Sequence, residues 1–213
     1  MLELGFKFLL SYFIGSIMGS MAMGRLRGGV DIRTMGSGNA GGTNALRTQG
    51  WLFAVGVVVI DVGKGVIAAG IIPGIALPIV GNDPEISRSW LTISCAAASV
   101  IGHVWPIWHN FRGGKGAATL VGTLLILAPV LIVPVLLVWA WVLVLSGFVG
   151  LATMIAAISA PIYLAVMRLP SEQPLFIYCV VLALYIGFTH RTNIRRMMDG
   201  TEARNQQLML FRR

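Results

Sequence analysis

The sequence predicts an all-α fold: a polytopic membrane helix bundle of about seven transmembrane helices, built as a single domain over residues 1–213. Three observations predict it. Only 11 % of the residues are charged and 56 % are hydrophobic, whereas a soluble domain carries roughly 25 % charged residues. Several apolar runs reach the roughly 20 residues that a helix needs to cross a bilayer. The cations gather at the ends of those runs rather than on one face or in one block, which is where orientation in a membrane requires them.

The first run, Leu4–Met23, shows no cleavage site and is expected to remain as a span. Its small residues Gly15, Ser16, Gly19 and Ser20 have the spacing that lets helices approach closely. Residues 25–50 are polar, with Arg25, Arg27, Arg33 and Arg47 against the single acid Asp31. The second span, Trp51–Ile72, carries Asp61 and Lys64, which lie on one helix face and can neutralise each other inside the bilayer. A loop over 73–89 leads to the third span, Trp90–Trp105. From Ala117 to Met167 the chain is almost unbroken apolar sequence. Pro129, Pro134 and the Ser146-Gly147 pair divide it into spans at 117–133, 135–147 and 150–167, followed by a last span at 174–189.

Charge sets the orientation. With seven spans, loop 25–50, loop 106–116 and tail 190–213 share one side and hold twelve Arg and Lys, against two, Arg88 and Arg168, on the other. Cations favour the cytoplasm, so the polar loops and the C-terminus are expected there and the N-terminus outside. The net charge of +8 therefore speaks for topology and not for nucleic acid. Cys95 and Cys179 fall inside apolar runs without disulfide or zinc spacing and read as packing residues.

Three polar clusters fall on that cytoplasmic side. In Ile101–Thr119 the segment Gly113-Gly114-Lys115-Gly116 is expected to curl so that successive N–H groups face one concavity, since glycine tolerates φ > 0. Lys115 adds a point charge and Arg112 a fork, and Ala117 onward reads as a helix whose N-terminus favours an anion. A Walker A loop would need glycine at 109 and Ser or Thr at 116, where His109 and Gly116 stand. In the second cluster Gly36, Ser37, Gly38, Asn39, Thr43, Asn44 and Arg47 alternate glycine with hydrogen-bonding side chains suited to phosphate or hydroxyl oxygens. A flexible linker also has glycine and serine, but seldom this density of amide and hydroxyl groups. In the third, His190, Arg191, Asn193 and Arg195 fall near one another on a helical extension. An interfacial anchor for anionic lipid would explain the arginines but not His190 with Asn193.

These clusters resemble the three motifs of the bacterial acyl-phosphate-dependent glycerol-3-phosphate 1-acyltransferase family. Gly36-Ser-Gly-Asn-x-Gly-x-Thr-Asn44 matches its first motif, Gly102-His-x-x-Pro106 with Phe111-x-Gly-Gly-Lys-Gly-x-Ala-Thr119 its second, and His190-Arg-x-Asn-Ile-x-Arg196 with Gly200-x-Glu202 its third. Asp61-x-x-Lys-Gly65 also fits, so the likeness spans residues 15 to 202 in order. One departure is Gly150-Leu-Ala-Thr153, where the family often shows Ser-Leu-x-Ser. The first serine's contact is missing, and Thr153 alone is left to bind substrate there.

The resemblance implies transfer of an acyl group from acyl phosphate to the sn-1 hydroxyl of glycerol 3-phosphate, giving lysophosphatidic acid and phosphate. Both substrates carry a phosphate, and the donor is already activated, so the protein need mainly orient the hydroxyl and stabilise developing charge. No metal or cofactor is demanded, and the few scattered acids argue against a Mg²⁺ site. Partners are the two substrates and membrane lipid, with no nucleic acid and no obligate protein partner evident. Candidate catalytic residues are Ser37, His103, Lys115, His190 and Asn193. Substrate-binding candidates are the glycines 36, 38, 113, 114 and 116 with Asn39, Thr43, Asn44, Arg47, Arg112, Thr153, Arg191 and Arg195. His103 and His190 have the unperturbed pKa of about 6.5 that suits a base, although the substrate's own phosphate is an alternative acceptor. The His-x-x-x-x-Asp pair of acyl-CoA-dependent enzymes is absent: Trp108, Gly114 and Arg195 stand five residues beyond the three histidines. A small anion channel or carrier gated by the glycine loops is the competing class, but a pathway needs polar groups on both faces and along the spans. A lipid-headgroup scaffold leaves Ser37, Asn39, Thr43 and Asn44 without a task.

Overall fold

A computed structural model describes residues 1–210; Phe211, Arg212 and Arg213, two of them counted in the tail's charge, lie outside the described residues. Among the described residues every regular element is helical. The chain forms two compact units, Met1–Leu127 and Ala128–Arg213.

The first unit begins with α1 (Leu2–Gly15) and α2 (Gly19–Leu26), which meet at 42° across a short break. A short polar helix, α3 (Gly42–Gln49), leads through Gly50 into α4 (Trp51–Gly70). Gly50 takes φ 84°, a left-handed turn that glycine adopts without a Cβ penalty. Then come α5 (Arg88–Val104) and α6 (Ala117–Leu127). Helix α4 packs against α2, α3, α5 and α6, while α1 packs along α5. These contacts depend on small residues. Any side chain at Gly15 would strike the Ser99 backbone, and one at Gly102 the Tyr12 carbonyl. Gly65 and Gly122 do the same for the α4–α6 crossing, against Thr119 and Val62. Where hydrocarbon gives no hydrophobic drive between helices, such close backbone approach supplies the packing.

The second unit comprises α7 (Ile132–Ser146), α8 (Val149–Met167), α9 (Gln173–Thr189) and α10 (Arg191–Met198). Helix α8 packs between α7 and α9. The tail returns to α7: Asn205 N–H donates to the Gly147 carbonyl at 2.8 Å and Leu210 N–H to that of Val144 at 3.0 Å. These bonds satisfy carbonyls of the helix's last turn, which have no intrahelical donor.

Among the described residues four helices are long and apolar enough to cross a membrane, or up to six if the bent pairs α1–α2 and α9–α10 each count as one, and α6 is a shorter apolar helix beside them. The sequence placed the fourth span at 117–133, but α6 ends at Leu127. Its 11 residues rise only about 16 Å against a hydrocarbon core of about 30 Å. Pro129 explains the early stop, because the residue before proline is steered out of the helical region; Ala128 takes φ −155°, ψ 71°. Conversely the segment expected to be short, 135–147, is an adequate span of 18 residues from Pro129 to Ser146. Pro134 falls in its first turn, where a missing N–H costs nothing.

Candidate active site

Asn44 organises the first polar loop. Its side chain is buried, and Nδ2 donates to the carbonyls of Ile32 (2.9 Å), Met35 (3.0 Å) and Asn39 (2.9 Å), while Oδ1 accepts from Ser37 N–H (2.9 Å). Both amide hydrogens are thereby taken by the loop's own backbone. Asn44, named among the substrate-binding candidates, thus holds the loop's own backbone in this structure. Gly36 (φ 56°) and Gly38 (φ 71°) make the left-handed turns that wrap the chain around it, and a side chain at Gly36 would collide with Asn44 Oδ1. The result is outward presentation: Ser37, Thr43 and Arg47 are exposed and Asn39 half-buried.

Arg33, which the sequence offered only as one of four cations, ties this loop to the second. Its guanidinium pairs with Asp31 at 2.8 Å and also donates to the carbonyls of His109 (3.4 Å) and Arg112 (3.2 Å). The same guanidinium holds the Asp31 carboxyl below the usual carboxylate range, and Asp31 in turn raises Arg33. The Asp-x-Arg spacing was the available signal, but nothing in it names acceptors nearly eighty residues away.

The second loop turns differently from the expectation. Among Gly113, Gly114 and Gly116 only Gly116 has positive φ (90°); the reversal is made by Asn110 (φ 53°) and Phe111 (φ 56°). Left-handed backbone is uncommon outside glycine and asparagine, so Phe111 holds a costly conformation. Gly113 and Gly114 are glycines for another reason. Their N–H groups donate to the Val104 and His103 carbonyls at 3.1 Å each, capping α5, and side chains at either would strike His103. Those two N–H groups therefore do not line an anion cradle. The donors that remain by construction are the N–H groups in the first turn of α6, with half-buried Lys115 and exposed Arg112 leading into it.

Beneath this loop lies a buried polar cluster. Asp61 Oδ1 accepts from Lys64 Nζ at 3.0 Å and from Gly19 N–H at 3.1 Å, and sits 3.4 Å from His103 Nδ1. Lys64 Nζ donates to the Ile17 carbonyl at 2.7 Å. The Asp61–Lys64 pair expected from the sequence is thus present, and it also satisfies backbone groups freed by the α1–α2 break. At the other end of α1, Glu3 and Lys7 form a second buried pair at 2.8 Å, with Arg88 on both Glu3 oxygens and Lys7 bonded to the Pro73 carbonyl. Two opposite charges four residues apart were visible in the sequence, but not their burial.

In the second unit His190 Nδ1 lies 2.8 Å from the Ile186 carbonyl, which can only accept, so Nδ1 donates to it. Asn193 is buried; its Nδ2 donates to Glu202 at 2.6 Å, and Arg196 Nε holds the other Glu202 oxygen at 2.6 Å. A Cβ at Gly150 would come within 3.0 Å of the Asn193 side chain. The glycine that departs from the serine pattern therefore makes room for Asn193. Thr153 donates to the Val149 carbonyl at 2.9 Å and accepts from the Trp139 indole at 3.2 Å, which leaves it little capacity for substrate. Arg191 is stacked on Phe188 at 4.4 Å and bonded to its carbonyl, and Arg195 makes a 3.8 Å exposed pair with Asp199. Both arginines serve their own helix ends in this arrangement.

A family profile described as glycerol-3-phosphate acyltransferase matches residues 6–200. Among curated relatives, a glycerol-3-phosphate acyltransferase of Chlorobium luteolum is 38 % identical over 221 residues, covering 91 % of this chain and 93 % of that one. One of Salinibacter ruber is 37 % identical over 207 residues, covering 92 % and 89 %. Two crystal structures of PlsY (YgiH), an integral membrane glycerol 3-phosphate acyltransferase, are similar throughout. The glycerol 3-phosphate form aligns with a TM-score of 0.80 at 31 % identity over 96 % of both chains. The lysophosphatidic acid form aligns with a TM-score of 0.78 at 31 % identity over 94 % of both.

Proposed function

Because this chain belongs to the glycerol-3-phosphate acyltransferase family, we propose that it takes its acyl group from acyl phosphate and delivers it to the sn-1 hydroxyl of glycerol 3-phosphate. The products are lysophosphatidic acid and inorganic phosphate. The hydroxyl oxygen attacks the acyl carbonyl carbon, the carbon–oxygen bond to phosphate breaks, and phosphate leaves with the bonding pair. The hydroxyl proton passes to the phosphate of the bound glycerol 3-phosphate. Support for that acceptor is that His103 is buried with its Nε2 edge packed against the Gly114 backbone, out of reach of a substrate hydroxyl. His190 and Asn193 orient the acceptor, and Ser37 with Asn39, Thr43 and Arg47 contributes hydrogen bonds to hydroxyl or phosphate oxygens. Lys115 and the α6 first turn take a phosphoryl group, with the polar loops facing the cytoplasm of a bacterial inner membrane.

The observation that carries the reading is the joining of the first two polar loops through Arg33, which sets exposed Ser37 and the Lys115 turn in one unit. The test is to incubate purified protein with labelled glycerol 3-phosphate and, in parallel, acyl phosphate, an acyl thioester of coenzyme A and an acyl-carrier thioester. Labelled lysophosphatidic acid with acyl phosphate alone supports the donor assignment. Equal or better turnover with a thioester overturns it.

A further inference from the structure

Resting on the reading above, we propose that His103 is a positioning residue: its imidazole is the seat on which the Lys115 turn is set, and Asp61 holds that seat in place. Four observations carry this.

First, His103 is 3 % exposed and lies in the last turn of α5, with Nδ1 3.4 Å from Asp61 Oδ1. The Asp61 carboxylate thus faces the Nδ1 edge of the buried ring at ion-pair range, without a hydrogen bond between them, and confines that edge from the α4 side.

Second, the opposite edge of the ring abuts Gly114. A side chain there would overlap Nε2, Cε1 and Cδ2 together, so the backbone rests directly on the imidazole.

Third, the backbone is locked to the same residue. Gly114 N–H donates to the His103 carbonyl and Gly113 N–H to that of Val104, both at 3.1 Å, immediately before Lys115.

Fourth, Asp61 is itself held from two sides, by Lys64 on its own helix α4 and by Gly19 N–H at the start of α2. A continuous set of buried contacts therefore runs from the α1–α2 break through Asp61 and His103 to the turn that carries Lys115. None of its members needs to touch substrate. Misplacement by an ångström is enough to cost about 10²-fold in rate, so such a seat has leverage on catalysis without chemistry of its own.

The test uses the full-length protein in lipid nanodiscs with His103→Ala, His103→Gln, Asp61→Asn and the Asp61→Asn/His103→Ala double variant. The expected result is a loss of kcat/KM of about 10- to 100-fold in His103→Ala. Asp61→Asn, which keeps an oxygen for Gly19 and Lys64, should show a smaller loss, and the double variant should be no worse than His103→Ala, because Asp61 acts through the ring. His103→Gln should recover part of the loss and keep the wild-type shape of the pH–rate profile. Amide hydrogen exchange over residues 113–116 should accelerate in His103→Ala and in Asp61→Asn. Multiplicative losses in the double variant, or loss of one limb of the pH profile in His103→Gln, overturn the inference. Unchanged exchange over 113–116 in both single variants also overturns it, and that measurement needs no turnover. Failure of the acyl-phosphate reading would leave wild-type transfer absent while the exchange pattern still decides the seat.

Discussion

Arg33 Nη1 donates to the carbonyl oxygen of Arg112 at 3.2 Å, although the two cations are 79 residues apart. Asp31 makes this possible. It takes up the guanidinium's charge on one edge and leaves the other edge to bond backbone oxygens. Replacing Arg33 by Lys removes the fork while keeping the charge. Arg33→Lys is expected to lower kcat/KM by about tenfold, and Arg33→Ala by more, since one bond to a charged donor contributes about 1.5–3 kcal/mol. Steady-state kinetics on both variants checks this. Equal activity of Arg33→Lys and wild type would show that the loops hold together without the fork.

The Asp31–Arg33 pair also has a pH signature. The Asp31 carboxyl is depressed by the guanidinium. A depressed carboxyl contributes stability that is complete above its unfolded pKa, about 3.9, and is lost as pH falls through the lower folded value. Thermal unfolding followed from pH 7 to pH 3 should therefore show a steeper acid-side decline in wild type than in Asp31→Asn. The pair is partly solvated, so the difference is of the order of 0.2–1 kcal/mol.

Asn44→Ala strips three carbonyls and the Ser37 N–H of their partner. Each buried group left unsatisfied costs about 1–3 kcal/mol. The expected outcome is faster proteolysis of loop 32–43 and a drop in turnover at least as large as that of Ser37→Ala, which leaves the loop intact. Retained turnover in Asn44→Ala with a collapsed Ser37→Ala would separate the hydroxyl from the loop's frame.

Lys115→Ala is expected to reduce turnover by about 10²–10³-fold, the usual cost of losing a group that stabilises transition-state charge. Lys115→Arg should rescue poorly, because a planar fork does not occupy the place of a compact ammonium. The check is single-turnover transfer in protein that elutes as wild type on size exclusion.

Gly150→Ala presses a methyl group against Asn193, which cannot retreat freely because Glu202 grips it at 2.6 Å. We expect about a tenfold loss of kcat/KM, of the kind that a small displacement of a positioned group causes. In a Glu202→Ala background the penalty for Gly150→Ala should shrink. Additive losses would indicate that Gly150 and Asn193 are energetically independent.

The membrane class, the polar clusters and the Asp61–Lys64 pair were legible because each depends on local composition or on helical spacing. The reach of α6 was misjudged because hydropathy continues past Leu127 while Pro129 ends the helix by sterics, a signal that apolar counting does not register. The glycines at 113 and 114 were readable as necessary but not for the right cause. Positive φ and close approach leave the same residue in a sequence, and only the position of His103 separates them. Asn44 shows the same ambiguity: an amide that binds a ligand and an amide that binds its own loop look alike until the carbonyls are placed. Asp31-x-Arg33 and the Glu202 of the third motif were visible, but the loop carbonyls that Arg33 reaches and the side chains that Glu202 and Trp139 bind are fixed by folding and left no local trace.

The break between α1 and α2 has a consequence for how the protein is made. Gly19 N–H and the Ile17 carbonyl find their partners on α4, in Asp61 and Lys64, which leave the ribosome more than forty residues later. Until then the first 26 residues have nothing to compensate those two groups in hydrocarbon, where each unsatisfied group costs several kcal/mol. A straight helix satisfies both internally, so the nascent chain favours an unbent first span. The bend is then acquired during assembly, when α4 arrives alongside with its charges already neutralising each other. Biogenesis thus has an order written into it. The first helix enters the membrane provisionally, and the fourth decides its final shape.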